Sequence, residues 1–266
     1  MAESKAEKLA KILRPGAPKS TPGSSGFPGR STSPGLLGRV QHWLKAKPEL
    51  YDALVSILSP VRASPQFNRE LDRLLVTHGQ QSVVLNLGSG PGYFRGRGDF
   101  INVDLFALPR VDIQADARDV PVESDCADLV LNIAMLEHVP APETVVAEML
   151  RVLKPGGTAF AYLPFMQPFH GAPSDFHRWT IEGARILFSN FSTVRVGLGA
   201  GPASGMLWLG LEWFSLFLSF GNRTLKDLIF LATMPLVAPF KHLDLLLCSH
   251  PCAQVMASGF YVVATK

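Results

Sequence analysis

The sequence predicts a doubly wound α/β fold, and three observations carry that reading. Five short apolar runs, "SVVLNL" (82–87), "FINVDL" (100–105), "VDIQAD" (111–116), "ADLVLNI" (127–133) and "GTAFAYLP" (157–164), have strand length. Their near-continuous apolar character is that of strands buried on both faces of a parallel sheet. Between the fourth and fifth runs lies "PAPETVVAEMLRVLKPGG", a complete helix, and alternation of strand and helix is the pattern of a doubly wound sheet. The first run ends in "GSGPG", three glycines in five positions, at the C-terminal end of a strand where such sheets bind ligands.

Taken in order, residues 1–37 read as a disordered tail, because the Pro/Gly/Ser tract "PGAPKSTPGSSGFPGRSTSPG" has too little apolar surface to order itself. The alternative for residues 2–13 is a short amphipathic helix lying on a partner or membrane. Residues 38–80 read as lead-in helices: apolar residues recur at helical spacing from about Leu37 to Leu58, with Pro48 ending one helix and opening another. "PQFNRELDRLLVTHG" puts Leu71, Leu74 and Leu75 on one face and closes at Gly79. The core is expected over 81–204. Its central helix starts at Pro142 with Glu143 in the first turn, carries Arg151 and Lys154 at the other end, and is stopped by Pro155-Gly156-Gly157. Thr180 is the expected N-cap of "IEGARILFSNF", with Glu182 in its first turn.

A sixth strand, "TVRVGL", and a final strand over 258–266, "SGFYVVATK", are separated by residues 205–257. The alternation of the final strand suits an antiparallel edge strand. The intervening segment contains "GMLWLGLEWFSLFLSFG" (205–221) and "LIFLATMPLVAPF" (228–240). Each is short for a bilayer, and Glu212, Pro235 and Pro239 argue further against spanning. This apolar helical insertion has three readings: a buried or lid element, a peripheral membrane contact, or a homodimer surface, the last two through 205–240.

Composition narrows the function. With 47% hydrophobic residues in 266, a large core is available. The net charge of +3 comes from scattered Lys and Arg, without a basic helix or aromatic platform, so no nucleic-acid partner is expected. Three cysteines, an odd number, and an N-terminus with Glu3 and Glu7 but no apolar signal core point to a cytoplasmic protein. "HLDLLLCSHPC" gathers His242, Asp244, Cys248, His250 and Cys252, but its Cys-x3-Cys spacing has no second pair, and no metal site is assigned.

The glycine loop admits three readings. A plain turn accounts for one glycine, not three. A dinucleotide fingerprint needs a third glycine and a helix where Tyr93 and "FRGRGDF" stand. The third reading is S-adenosylmethionine, a sulfonium cofactor with no phosphate, which needs close backbone approach and an acidic residue at the end of the second strand. Asp104 in "INVDL" stands there.

The run from Val83 to about Phe191 resembles the class I S-adenosylmethionine-dependent methyltransferases, and within them the type 11 methyltransferase domain. The similarity is carried by "VLNLGSGPG", "NVDL", "QADARDVPVESDCADLVLNIAMLEHV" and "AEMLRVLKPGG", in that order. The resemblance implies a Rossmann-like, mostly parallel seven-stranded sheet whose last two strands form an antiparallel hairpin. It implies that Gly88, Ser89, Gly90 and Gly92 border the methionine moiety and ribose. Asp104, with Leu105 beside it, takes the ribose hydroxyls, Asp116 and Ala117 meet the adenine, and Asn132 and Ile133 flank the sulfonium. Asn86 stands where the family has an acidic residue, and His138 in "MLEHVP" is a recurrent family position.

Methyl transfer from a sulfonium is an in-line displacement, so positioning in a dry site supplies much of the catalysis. A base matters when the acceptor is a hydroxyl, and is then worth roughly 10²–10⁴-fold. "PFMQPFHGAPSDFHRWT" (164–180) follows the fifth strand and sets His170, Asp175, His177 and Arg178 among aromatic residues. His170, His177 and Asp175 are the candidate catalytic residues, and the competing reading is that this cluster pins the loop. The loop is similar to methyltransferases of bacterial polysaccharide and glycoconjugate assembly, which implies a small-molecule acceptor of sugar or lipid-linked glycan type. Two rival functions remain: a cofactor-binding but catalytically silent subunit, and a nicotinamide oxidoreductase.

Overall fold

The computed structural model describes residues 3–15, 43–44, 47–91, 94–171 and 174–266. The five apolar runs form β1 (Val84–Leu87), β2 (Ile101–Asp104), β3 (Ile113–Gln114), β4 (Ala127–Ile133) and β5 (Leu153–Pro164), followed by β6 (Thr193–Ala200) and β7 (Gly259–Thr265). They make one seven-stranded sheet in the order β3-β2-β1-β4-β5-β7-β6. β1 to β5 are mutually parallel, and β7 is antiparallel to both of its neighbours. The carboxyl ends of β1, β2, β4 and β5 therefore open on one edge, and the site is built there.

The final strand is not at the edge. β7 lies between β5 and β6 because both its faces are covered: Val262 and Ala264 belong to one core and Val263 to the other. β6 is the edge strand, and its exposed Arg195 supplies the charge that keeps an edge from pairing further. The central helix also ends earlier than Pro155. It spans Pro142–Val152, and Leu153 is already extended. Gly156, at φ +78°, and Gly157, whose Cβ would lie 2.9 Å from the Lys154 carbonyl, instead shape the start of β5, where its register on β4 shifts.

Helices cover both sheet faces. On one side α1 (Lys5–Ile12), the helix Pro142–Val152 and the helix Ile181–Leu187 bury Ile12, Val145, Met149 and Phe188 against Leu85, Val103 and Ala161. On the other, the helix Pro65–Thr77 lays Phe67, Leu71 and Leu74 over Val84, Leu129 and Phe160, with Leu75 partly buried beside them. The helix Pro48–Leu58 begins at its proline as expected, while the part of the lead-in segment over 38–42 and 45–46 lies outside the described residues.

Two expectations need correction. The tail reading fails for residues 5–12, which form a helix with a Ser4–Glu7 capping box. That helix docks on its own chain: Ile12 is buried, and the buried Lys8 donates its Nζ protons to the carbonyls of Gln80 and Ser82. Residues 16–37 lie outside the described residues. The insertion, in turn, is longer than its two apolar segments suggest. It begins with the helix Pro202–Leu218. A second helical path then runs from Arg223 to Leu247 through a 3-10 turn, 25 residues that are by length and composition enough to cross a membrane. Two of its buried charges hold it in place, one on the globular body and one on the insertion's first helix. Lys241 donates to the carbonyls of Ser56, Ile57 and Ser59 at the end of Pro48–Leu58. Asp244 accepts from the backbone of Ala203 and Ser204 and from the Ser204 hydroxyl, capping Pro202–Leu218.

Candidate cofactor and acceptor site

The glycine loop leaves β1 at Leu87 and turns at once. Gly88 has φ +70°, and a Cβ there would sit 2.4 Å from Met135 Cγ, so no other residue fits beneath the segment following β4. Gly90 has φ +64° and donates its N–H to Asp104 Oδ2 at 2.9 Å. Ser89 lies between them and donates its N–H to the Val103 carbonyl at 3.2 Å. Gly92 and Tyr93 lie outside the described residues. Asp104 Oδ1 accepts from Phe106 N–H at 3.0 Å. An ionised carboxylate accepts about four hydrogen bonds, so two acceptor positions stay available to a diol.

Asn132, last but one in β4, is fully buried, and its Oδ1 has no hydrogen-bond partner. It stands in register with Leu87, next to the glycine loop. A buried acceptor without a donor is costly unless a ligand supplies one. The glycine cradle, the acidic residue beside it and this unsatisfied amide oxygen fit a ligand with a ribose diol at one end and an ammonium group at the other, which are the features of S-adenosylmethionine.

Two of the expected contacts, Asn86 and Asp116, have their polar groups engaged within the chain. Asn86 is buried and donates its amide to Asn102 Oδ1 at 3.0 Å, and Asn102 in turn donates to the Arg110 carbonyl. Its amide is a cross-strand link on the face opposite the one Leu87 packs, rather than a ligand to the loop. Asp116 is gripped by the Arg118 guanidinium through both carboxylate oxygens. Burial raises its pKa, but the Arg118 hydrogen bonds and charge outweigh that and leave it lowered. The Leu105 carbonyl accepts from Gln114 Nε2 on β3. Ala117 packs against the sheet core, and Ile133 is half-buried on the opposite side.

The segment after β5 is organised by Arg178. Its guanidinium donates to the Gln167, Pro168 and His177 carbonyls and to both oxygens of Asp175. Asp175, buried, also accepts the His170 N–H at 2.7 Å. Burial raises the Asp175 pKa, and the Arg178 and His170 hydrogen bonds reverse that, so it is lowered and the carboxylate stays ionised. Asp175 and Arg178 are thus the frame of the loop, and Asp175 is not positioned as a base. His177 is pinned by Nε2 to the Pro140 carbonyl at 3.2 Å and lies over Trp179, which removes it from the acid–base set as well.

His170 stays. Its ring lies 5.1 Å from Trp208 of the insertion and 5.4 Å, edge to face, from His138. Its Nε2 faces Glu137 Oε1 at 3.7 Å. Burial lowers its pKa, but the Glu137 carboxylate, the Pro168 carbonyl and Asp175 outweigh that, and the net shift is upward. Glu137 escapes sequence reasoning, because a glutamate just past a strand reads as solvated; it is 0% exposed. The signal that points to it is the Glu-His pair directly after an apolar strand. Elsewhere, Asp244 of "HLDLLLCSHPC" is committed to capping, and His250 Nδ1 accepts the Cys252 N–H.

Residues 99–161 match the family model described as a methyltransferase domain of type 11. An uncharacterized methyltransferase of Mycobacterium bovis is 33% identical over 122 residues, covering 38% of this chain and 48% of the relative. One from Mycobacterium ulcerans is 37% identical over 106 residues, covering 33% of this chain and 42% of the relative. The chain spans about half the length of the curated relatives it matches. A Haemonchus contortus phosphoethanolamine N-methyltransferase 2 structure, solved with phosphomonomethylethanolamine and S-adenosylhomocysteine, aligns at 15% identity and TM-score 0.49 over 90% of this chain and 61% of that one. The matched segment holds β2, β3, β4 and most of β5, the part of the parallel sheet at whose carboxyl edge Asp104 meets the glycine loop, and it is to type 11 methyltransferase domains that this part of the chain is similar.

Proposed function

We propose that this chain is an S-adenosylmethionine-dependent methyltransferase acting on a small-molecule acceptor of sugar or lipid-linked glycan type. The observation that carries the reading is the convergence of the Asp104 carboxylate and the orphaned Asn132 Oδ1 on the two sides of a loop held open by Gly88 and Gly90. The cofactor supplies a methyl on a sulfonium, displaced in line. The chain's own residues do the rest. Asp104 takes the ribose hydroxyls and Asn132 the ammonium, Gly88 lets the backbone approach, and the insertion and the loop after β5 close the site against water.

The acceptor preference rests on that loop. Phe169 and Phe176 are exposed beside the polar His170, and Trp208 reaches in from the insertion. Exposed rings flanking hydrogen-bonding groups suit the apolar faces and hydroxyl rims of a sugar. The apolar insertion supports a lipid-linked form of that acceptor met at a membrane surface, and the three free thiols support a reducing, cytoplasmic setting. Asn86, engaged with Asn102, no longer argues for a silent subunit. Calorimetry with S-adenosylhomocysteine tests the premise, with binding expected and absence of binding fatal to it. Mass spectrometry of cell extract given isotopically labelled methyl donor tests the acceptor: label is expected in glycans or glycolipids, and label confined to protein or nucleic acid would sink the glycan reading.

A further inference from the structure

Glu137 poses an unusual problem. It is completely buried, and neither carboxylate oxygen has a hydrogen-bond partner. Two histidines face it, His170 Nε2 at 3.7 Å and His138 Nε2 at 3.9 Å from Oε1. Which atoms carry protons follows from their other contacts. His138 Nδ1 is 2.6 Å from the Ser174 carbonyl, which can only accept, so Nδ1 holds the hydrogen. His170 Nδ1 is 2.9 Å from the Pro168 carbonyl. Arg178 Nη2 also lies 3.2 Å from His170 Nδ1, but its two hydrogens are engaged more closely, at 2.7 Å by Pro168 O and at 2.7 Å by Asp175 Oδ2, which leaves His170 Nδ1 as the donor to the Pro168 carbonyl. In neutral rings with the hydrogen on Nδ1, both Nε2 atoms turn lone pairs toward the buried Glu137 carboxylate. The pocket then gathers three electron-pair donors, an arrangement that a cation among them would satisfy.

We propose that Glu137, His138 and His170 bind one divalent first-row transition-metal ion of the zinc or cobalt class. Their ligand atoms lie within 4.8 Å of one another. An ion with ligand bonds of about 2.0–2.1 Å brings tetrahedral ligands to about 3.3 Å apart, so the 3.7 and 3.9 Å separations from Glu137 close by about half an ångström and the two imidazole nitrogens, within 4.8 Å, by up to about 1.5 Å. The outer contacts are those of metal sites: each ligating imidazole is fixed through its far nitrogen by a backbone carbonyl. Two imidazoles and one carboxylate suit borderline transition ions rather than magnesium or calcium. Three protein ligands leave positions open, and oxygen atoms of the acceptor are the ligands that complete them. The last statement rests on the methyltransferase reading. The placement supports it, since Glu137 follows β4 and His170 follows β5, neighbours in the sheet whose carboxyl ends share the cofactor edge.

The test uses the full chain, stripped with chelator and titrated with Co²⁺ alone, and then with Zn²⁺ by calorimetry. One ion per chain is expected, with a visible Co²⁺ absorption band. Affinity should fall about tenfold or more in both Glu137→Gln and His170→Ala. Circular dichroism melting and S-adenosylhomocysteine affinity, followed in parallel, show whether each variant is folded, and Glu137→Gln preserves the volume of the site. Absence of metal binding by the parent chain overturns the proposal, and so does equal affinity in the variants. Binding lost in His250→Ala but kept in Glu137→Gln would place the ion at the surface thiol segment and also overturn it. Homocysteine-product binding without metal binding removes the metal site alone, and the converse removes the methyltransferase reading alone.

Discussion

Asp104 shows how one side chain both builds and serves a site. Its carboxylate holds Gly90 N–H and Phe106 N–H, fixing the loop beside which its remaining lone pairs are proposed to take the ribose. Asp104→Ala removes both functions, and charge-assisted hydrogen bonds are worth about 1.5–3 kcal/mol each. Calorimetry should therefore show S-adenosylhomocysteine affinity lowered roughly ten- to a hundredfold, with Asp104→Asn in between because it keeps one acceptor oxygen. The Gly88–Gly90 loop and Asp104 were legible in the sequence because residue type at a strand end limits what each can do: glycine where φ is positive, an acid at the end of the next strand. Glu137, Asp175 and Arg178 were not, because burial and partners decide what a charged side chain does. Asp175 and His177 looked like acid–base groups from their neighbours in sequence, yet Arg178 and the Pro140 carbonyl claim them.

At the scale of elements, the strands were readable from apolar runs and the caps from Thr180 and Pro142, but not which strand lies at the edge. That choice depends on coverage of the second face of β7, a tertiary property. The same applies to the links between elements. Lys241 reaches from the insertion to three carbonyls at the end of Pro48–Leu58, where cations are favoured by the helix dipole. Lys241→Met keeps the buried stem and strips those carbonyls of a donor, so chemical denaturation should show a loss of about 1–3 kcal/mol. Glu70 joins Pro65–Thr77 to β6 by accepting from Arg73 and Arg195. The Arg73 hydrogen bond lowers its pKa, burial opposes this, and Arg195 adds to the lowering. A carboxyl whose folded-state pKa is depressed stabilises the fold above its unfolded value and loses that contribution as pH falls through the folded one. The melting temperature of Glu70→Gln should accordingly lie below that of the parent at neutral pH, and the gap should close in acid below the usual carboxylate range.

For the whole molecule, the insertion is the part that sequence periodicity described least well. The first apolar segment forms the helix Pro202–Leu218 and the second lies within the longer path Arg223–Leu247, and their outward faces stay uncovered. Trp213 and Phe217 stack in parallel at 5.5 Å while 65% and 64% exposed, with Phe220 87% exposed at the tip. Of the path's attachments, Lys241 caps Pro48–Leu58 of the globular body and Asp244 caps the insertion's own helix Pro202–Leu218, and a path crossing the bilayer would have to break the first. The proposed lipid-linked acceptor would be met with this face lying on a lipid surface and its aromatic tip inserted. Burying a large aromatic side chain is worth about 1.5–3 kcal/mol, so removing two half-inserted rings should weaken partitioning at least tenfold. Trp213→Ser combined with Phe217→Ser, compared with the parent chain in flotation with phosphatidylglycerol-containing vesicles, measures this directly. Loss of flotation with unchanged S-adenosylhomocysteine binding is the expected result. A parent chain that stays with the soluble fraction, and sediments as a dimer that the double substitution dissociates, would assign the same face to a second copy of the chain instead.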